Sequence, residues 1–185
     1  MIQRKLNENE FRLMRGFMKI ADHVYPHVQA RAEMFGIKPG QIVVDYGCGP
    51  GRYTVEMARL VGADGKVIAV DLVEMALEET QKKLKAGGFR NYELKLARGY
   101  DSNVEDNTAD IVFAIDMFHH ISDTNTFLRE VYRILKPYGS LILSGGHMTR
   151  KTVKAKIAMS EIWDIAEERK EFIAYKQRIV YGDLS

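Results

Sequence analysis

Cysteine is almost absent. Cys48 is the only one in 185 residues, which excludes an intrachain disulfide framework and a cysteine-based zinc site. A lone thiol suits a reducing compartment, so a cytoplasmic location is expected. Proline is scarce as well, with 4 residues, and nothing in the composition marks a disordered or collagen-like chain. No apolar run reaches the roughly 18 residues of a membrane-spanning helix, so no membrane partner is expected. An excess of one charge is also missing: Lys and Arg number 27 against 25 Asp and Glu, for a net +2. That balance does not announce a nucleic acid. It leaves a nucleic-acid or protein acceptor open, because a neutral total can hide a local patch. The first residues are charged and hold no continuous apolar stretch, so no secretory signal is expected.

What is present suits one domain. Apolar residues make up 46% of the chain, enough at this length for a full core. No repeat, linker or low-complexity tract divides it, so residues 1–185 are expected to form a single unit. Phe11, Met14, Phe17, Met18 and Ala21 recur at helical spacing and predict an amphipathic helix over 8–21. A second helix follows over 26–35 and stops at Gly36. Together, residues 1–36 are expected to pack on the domain, to form a lid over a pocket, or to serve a homodimer. His23 and His27 stand four apart, but Pro26 intervenes and no third ligand follows, so no metal site is expected.

From there, strands alternate with helices. Strands are predicted over 41–46, 66–71, 92–97, 110–116 and 140–144. Helices are predicted from Gly51 or Arg52 to near Gly62, over 73–86, and over 123–135 with Asp123 as N-cap. Residues 137–139 form a turn. Val67-Ile68-Ala69-Val70 is apolar without alternation, the mark of a strand buried on both faces of a parallel sheet. Right-handed crossovers then give a doubly wound α/β sheet with helices on both faces. After a helix over 149–160 the rhythm breaks. The link between 162–166 and 172–175 is too short for a crossover helix, so an antiparallel hairpin is expected, with Trp163 in the core. One helix through 161–176 is the competing reading.

The chemistry gathers around Val43-Val44-Asp45-Tyr46-Gly47-Cys48-Gly49-Pro50-Gly51-Arg52. A strand ends in an acid, breaks into glycines and feeds a helix. Such a turn lets a ligand approach the backbone and the unpaired N–H groups of the helix start. A nicotinamide fingerprint wants G-x-G-x-x-G, and Arg52 stands where its third glycine belongs. No Gly-Lys-Ser/Thr follows, so this is not a P-loop. Asp45 repels a pyrophosphate and suits a cationic, amino-bearing ligand. Asp71 ends the next strand at the spacing of a carboxylate that accepts from ribose hydroxyls, and Leu72 can cover one face of a base.

These residues resemble class I S-adenosylmethionine-dependent methyltransferases. The likeness runs from about Ile37 to Tyr175. It includes the glycine motif, Val67–Leu72, the strand over 110–116 and Leu128–Leu143, where Tyr138 replaces the first glycine of a Leu-Lys-Pro-Gly-Gly signature. It implies a Rossmann-like, seven-stranded mixed sheet ending in an antiparallel hairpin, with S-adenosyl-L-methionine as cofactor. Carried over, Gly47, Gly49 and Gly51, with Cys48 inside the loop, approach the methionine part and ribose. Asp45 orients the loop and reaches the amino group directly or through water; Asp71 binds the ribose hydroxyls. Asp116, Met117 and Phe118 line the methionine and sulfonium side. The family often carries an Asp for the adenine amino group after the third strand. Here Arg98 stands there and is a donor only, so either Asp101 substitutes or the Gly99-Tyr100 backbone takes that place.

His119 and His120 stand past the fourth strand, as a helix start, a substrate contact or a base. Cys48 is read as a small buried residue rather than a nucleophile. Short connections after the fourth and fifth strands favour a small-molecule acceptor. An NAD(P)-binding oxidoreductase and a non-catalytic S-adenosylmethionine-binding subunit are the alternatives.

Overall fold

A computed structural model describes residues 27–178, and Leu13 before them. The helix expected over 8–21, and with it the lid or dimer face and His23, lies outside the described residues. Seven strands form among those described: β1 (Ile42–Tyr46), β2 (Lys66–Asp71), β3 (Tyr92–Leu96), β4 (Ala109–Ala114), β5 (Leu135–Leu143), β6 (Trp163–Glu168) and β7 (Ile173–Gln177). They make one sheet in the order β3-β2-β1-β4-β5-β7-β6. The first five pair in parallel with one another, and β7 pairs antiparallel with both β5 and β6. The terminal hairpin therefore forms, Trp163 is buried, and a helix through 161–176 does not exist.

Among the described residues five helices cover the sheet: α1 (His27–Glu33), α2 (Thr54–Val61), α3 (Glu74–Ala86), α4 (Thr124–Ile134) and α5 (Arg150–Ala158). Successive strand residues face opposite sides. Val43, Val67 and Phe113 pack with Met57 and Val61 of α2 and Leu84 of α3. Val44, Val70 and Val112 pack with Phe127 and Val131 of α4 and Ile157 of α5. Both faces are covered, which is why these strands carry continuous apolar runs. Asp123 caps α4, its Oδ1 accepting from the Thr126 N–H at 3.1 Å. Among the described residues no helix is long and apolar enough to cross a membrane.

At three places a difference from the sequence expectation has a visible cause. The helix expected from Gly51 or Arg52 begins at Thr54, because the Gly51 N–H closes a turn on the Cys48 carbonyl at 3.1 Å. β4 ends at Ala114 rather than residue 116, because Asp116 enters the left-handed region at φ +56°. The turn at 137–139 is a bulge inside β5: pairing jumps from Ala109–Leu135 to Ile111–Ser140. Tyr138 adopts φ +68° there. A side chain at Gly139 would meet Leu135 at 2.8 Å and the Lys136 carbonyl at 2.9 Å, so the bulge needs a glycine at that step.

Candidate active site

The chain runs outward from β1 through β2 to β3, then returns to β1's other side with β4. The strand order reverses there, and the crevice outside the C-terminal strand ends at such a reversal is where open α/β sheets bind ligands. Tyr46 pairs with Val70 and Asp45 with Phe113, so the ends of β1, β2 and β4 reach one edge together. The Gly47 and Cys48 N–H groups both donate to the Val70 carbonyl, at 2.8 and 3.0 Å, and bend the glycine loop over β2.

Asp45 is buried at 3% exposure and accepts from the Thr54 hydroxyl at 2.5 Å. The contact joins β1 to the first residue of α2. Burial, with the Asp71 charge adding to it against the Thr54 bond, pushes its carboxyl up to about 6. Cys48 is buried too, with Sγ 3.8 Å from Thr80 Oγ1. Burial, then Asp71 and Asp45, raise its pKa well above the ordinary thiol value, so it stays protonated.

Asp71 holds the loop from the other side. Its Oδ2 accepts from the Gly49 N–H at 2.8 Å and its Oδ1 from the Val73 N–H at 2.9 Å. A carboxylate has about four lone-pair sites, a chemistry that suits the hydroxyls of a sugar. The three loop glycines differ. A Cβ at Gly49 would meet nothing within 4 Å, whereas one at Gly47 would lie 3.1 Å from Met117 and one at Gly51 2.7 Å from Thr80 Oγ1. Gly49 thus borders open space, while Gly47 and Gly51 let the loop press on β4's end and on α3. The open space, the paired glycine amides and the half-exposed Asp71 fit the nucleoside part of S-adenosylmethionine. Leu72 is half-buried at the same edge.

Gly99 tips a tight turn closed between Arg98 and Asp101, with the Arg98 N–H donating to the Asp101 carbonyl at 2.9 Å. The Ala97 N–H donates to the Asp71 carbonyl at 2.9 Å, which sets that turn beside the loop. Asp101 Oδ1 accepts from the Asn103 N–H at 2.9 Å. The Tyr100 carbonyl accepts from the Tyr46 hydroxyl at 2.7 Å.

Past β4, Ser144 at the end of β5 secures Asp116. The Ser144 hydroxyl donates to Asp116 Oδ1 and accepts from the Asp116 N–H, both at 2.7 Å. Met117 and Phe118 are buried, and Phe118 packs near Phe127 in the core, not on the crevice. His119 and His120 lie in a short 3-10 turn, Phe118–His120, with ring centroids 3.9 Å apart. His147, which follows β5, lies 5.1 Å from His119. Burial, then His120 and His147, hold the His119 pKa below its ordinary value against the pull of Asp116. A neutral imidazole therefore faces two exposed ones. Among the described residues no group of three His, Cys, Asp or Glu is arranged to hold a metal ion.

Sequence reasoning missed Arg31, Tyr53, Thr54, Thr80, Ser144 and His147. Thr54 and Ser144 had no local signal, since their acids, Asp45 and Asp116, lie nine and 28 positions away. Arg31 had none: its Nη1 reaches the Tyr53 hydroxyl at 2.7 Å and Asp116 Oδ2 at 3.1 Å from a helix 85 positions away from Asp116.

A seven-stranded sheet in this order, with a glycine loop after β1 and an acid ending β2, defines the class I S-adenosylmethionine-dependent methyltransferase fold. A family model described as a methyltransferase domain matches residues 37–179, and the chain belongs to that family. The chain is 35% identical over 109 residues to the ubiquinone/menaquinone biosynthesis C-methyltransferase UbiE of Escherichia coli. That match covers 58% of this chain and 43% of the relative, so the chain matches less than half the length of such relatives. A solved S-adenosyl-L-methionine-dependent methyltransferase of Methanococcus maripaludis superposes with a TM-score of 0.79 at 18% identity, over 98% of this chain and 100% of that one. One from Aquifex aeolicus gives 0.72 at 23% identity, over 85% and 95%. These structures share the fold.

Proposed function

We propose that this chain transfers a methyl group from S-adenosylmethionine to a small-molecule acceptor. The observation that carries the reading is the Asp71 carboxylate locked onto the Gly49 N–H beside the open face of that glycine. When bound, the cofactor supplies a methyl group already activated on a sulfonium. The protein's part is then positioning and exclusion of water. Asp71 takes the ribose hydroxyls, and Gly49 leaves room for the nucleoside to lie on the loop. Leu72 and the Gly99-Tyr100 turn border the base. Met117 sets the height of the β4 end by packing on Gly47.

The acceptor enters beside the ends of β4 and β5, where His119, His120 and His147 gather. His119 stays neutral at physiological pH and serves as an uncharged contact, while the exposed His120 takes a proton from the acceptor. The relative's name gives methylation at carbon in ubiquinone/menaquinone biosynthesis, which supports a small-molecule acceptor here. The test is transfer of labelled methyl from S-adenosylmethionine into a cell extract separated into protein, nucleic-acid and small-molecule fractions. Label is expected in the small-molecule fraction. Label confined to protein or nucleic acid contradicts the acceptor class, and no label above a heat-treated control contradicts the activity.

A further inference from the structure

We propose that Gly146 is a positioning residue for the acceptor side of the crevice: the space its side chain would fill is taken by the His119 ring, which turns Nε2 alone toward the acceptor as an N–H donor. This rests on the acceptor entering beside the histidines, as above. Gly146 lies between β5 and α5 and holds φ +57°. A Cβ there would run into His119 Nδ1 and stand 2.9 Å from its Cε1. Gly36, Gly62 and Gly88 share the left-handed backbone, yet a Cβ on any of them meets nothing within 4 Å. At Gly146 the demand is for space as well as for conformation.

The backbone on either side is pinned. Ser144 bonds Asp116. A Cβ at Gly145 would lie 2.7 Å from Val153 and 2.9 Å from the Met148 carbonyl. The Met148 N–H closes the turn on the Gly145 carbonyl at 3.0 Å, and the Thr149 hydroxyl caps α5 by accepting from the Thr152 N–H at 3.2 Å. A side chain at position 146 therefore displaces the ring, the freer of the two.

The seat also selects the tautomer. His119 Nδ1 is buried with no hydrogen-bond partner among the described residues. A proton there would be an N–H buried without an acceptor, which folded proteins rarely tolerate; an unshared lone pair is tolerated more often. The single proton of the neutral ring therefore sits on Nε2. A second proton has only Nδ1 to go to, so the same contact opposes the charged form. Burial opposes it too, followed by His120 in the 3-10 turn and His147 after β5, against Asp116 past β4. His119 then meets the acceptor as a donor and leaves the base role to His120.

Nitrogen NMR of the full chain, labelled in histidine, tests the seat without any ligand. Wild-type His119 should carry its proton on Nε2 at neutral pH. In Gly146→Ala the displaced ring should expose Nδ1, mix the two tautomers and move its titration midpoint up toward about 6.5, the ordinary value. Gly88→Ala, which strains a left-handed backbone in open space, should leave the His119 signals unchanged. Labelled-methyl transfer into the small-molecule fraction should fall about tenfold or more in Gly146→Ala. The same substitution added to His119→Ala should cost less than about twofold more, because Gly146 acts through the ring. Wild-type His119 with its proton on Nδ1 overturns the inference, as do unchanged His119 signals in Gly146→Ala or equal losses of transfer with and without His119. A wild type that transfers no methyl group overturns the function above, and the nitrogen spectra then decide the seat alone. If Gly146→Ala does not fold, Gly146→Asn carries the test, since asparagine tolerates the left-handed backbone and brings the same Cβ.

Discussion

Asp45 and Asp71 end adjacent strands, and burial separates their chemistry. Asp71 is half-exposed and holds backbone N–H groups at the crevice. Asp45 is sealed, with its carboxyl pushed up to about 6 by burial. Between an ordinary value of about 3.9 and that raised one, the folded chain keeps a proton that the unfolded chain has released. Stability therefore falls as pH rises through this window. A rise of that size corresponds to about 3 kcal/mol. Chemical denaturation from about pH 4 to about pH 7 should show the wild type losing about that much relative to Asp45→Asn; a difference independent of pH contradicts the assignment. The glycines make a second residue-scale contrast. An alanine costs about 1–2 kcal/mol at any left-handed position. At Gly51 it also meets Thr80 at 2.7 Å, with the Thr80 Cα at 3.0 Å, and overpacking adds about 1–3 kcal/mol. Thermal melts should show Gly51→Ala as the less stable variant, while calorimetry shows Gly49→Ala losing more affinity for S-adenosylhomocysteine. The reverse order contradicts the division of roles.

At the scale of elements, the bulge in β5 carries a correctable defect. Tyr138 is 78% exposed, so its ring packs little, yet its backbone sits at φ +68°. Tyr138→Gly should raise stability by about 1 kcal/mol, read as a higher denaturation midpoint, because the relief exceeds glycine's entropy cost. A loss of stability would show that the ring contributes packing. The same element shows what sequence can and cannot disclose. The apolar runs, the glycine turn and the short link before β7 are local signals, and they placed the strands, their parallel sense and the hairpin. Asp71 was legible because a strand-ending acid after a glycine loop is also local. The start of α2 was not, since Asp45 pins Thr54 from nine positions away. Nor were Arg31 and Ser144, which reach Asp116 from other elements only after the sheet has closed.

Across the whole molecule, the crevice is assembled from distant parts. The glycine loop follows β1, Asp71 ends β2, Asp116 and the histidines follow β4, and Ser144 follows β5. A ligand spanning these parts binds only the folded state and raises its stability by mass action. The account turns on what that ligand is. Calorimetry of the full chain with S-adenosylhomocysteine, repeated on Asp71→Ala and with NADH as the rival ligand, asks this most directly. The account predicts binding to the wild type, a loss of about 1.5–3 kcal/mol in Asp71→Ala, and no binding of NADH. No detectable S-adenosylhomocysteine binding by the wild type, or NADH binding in its place, would contradict it.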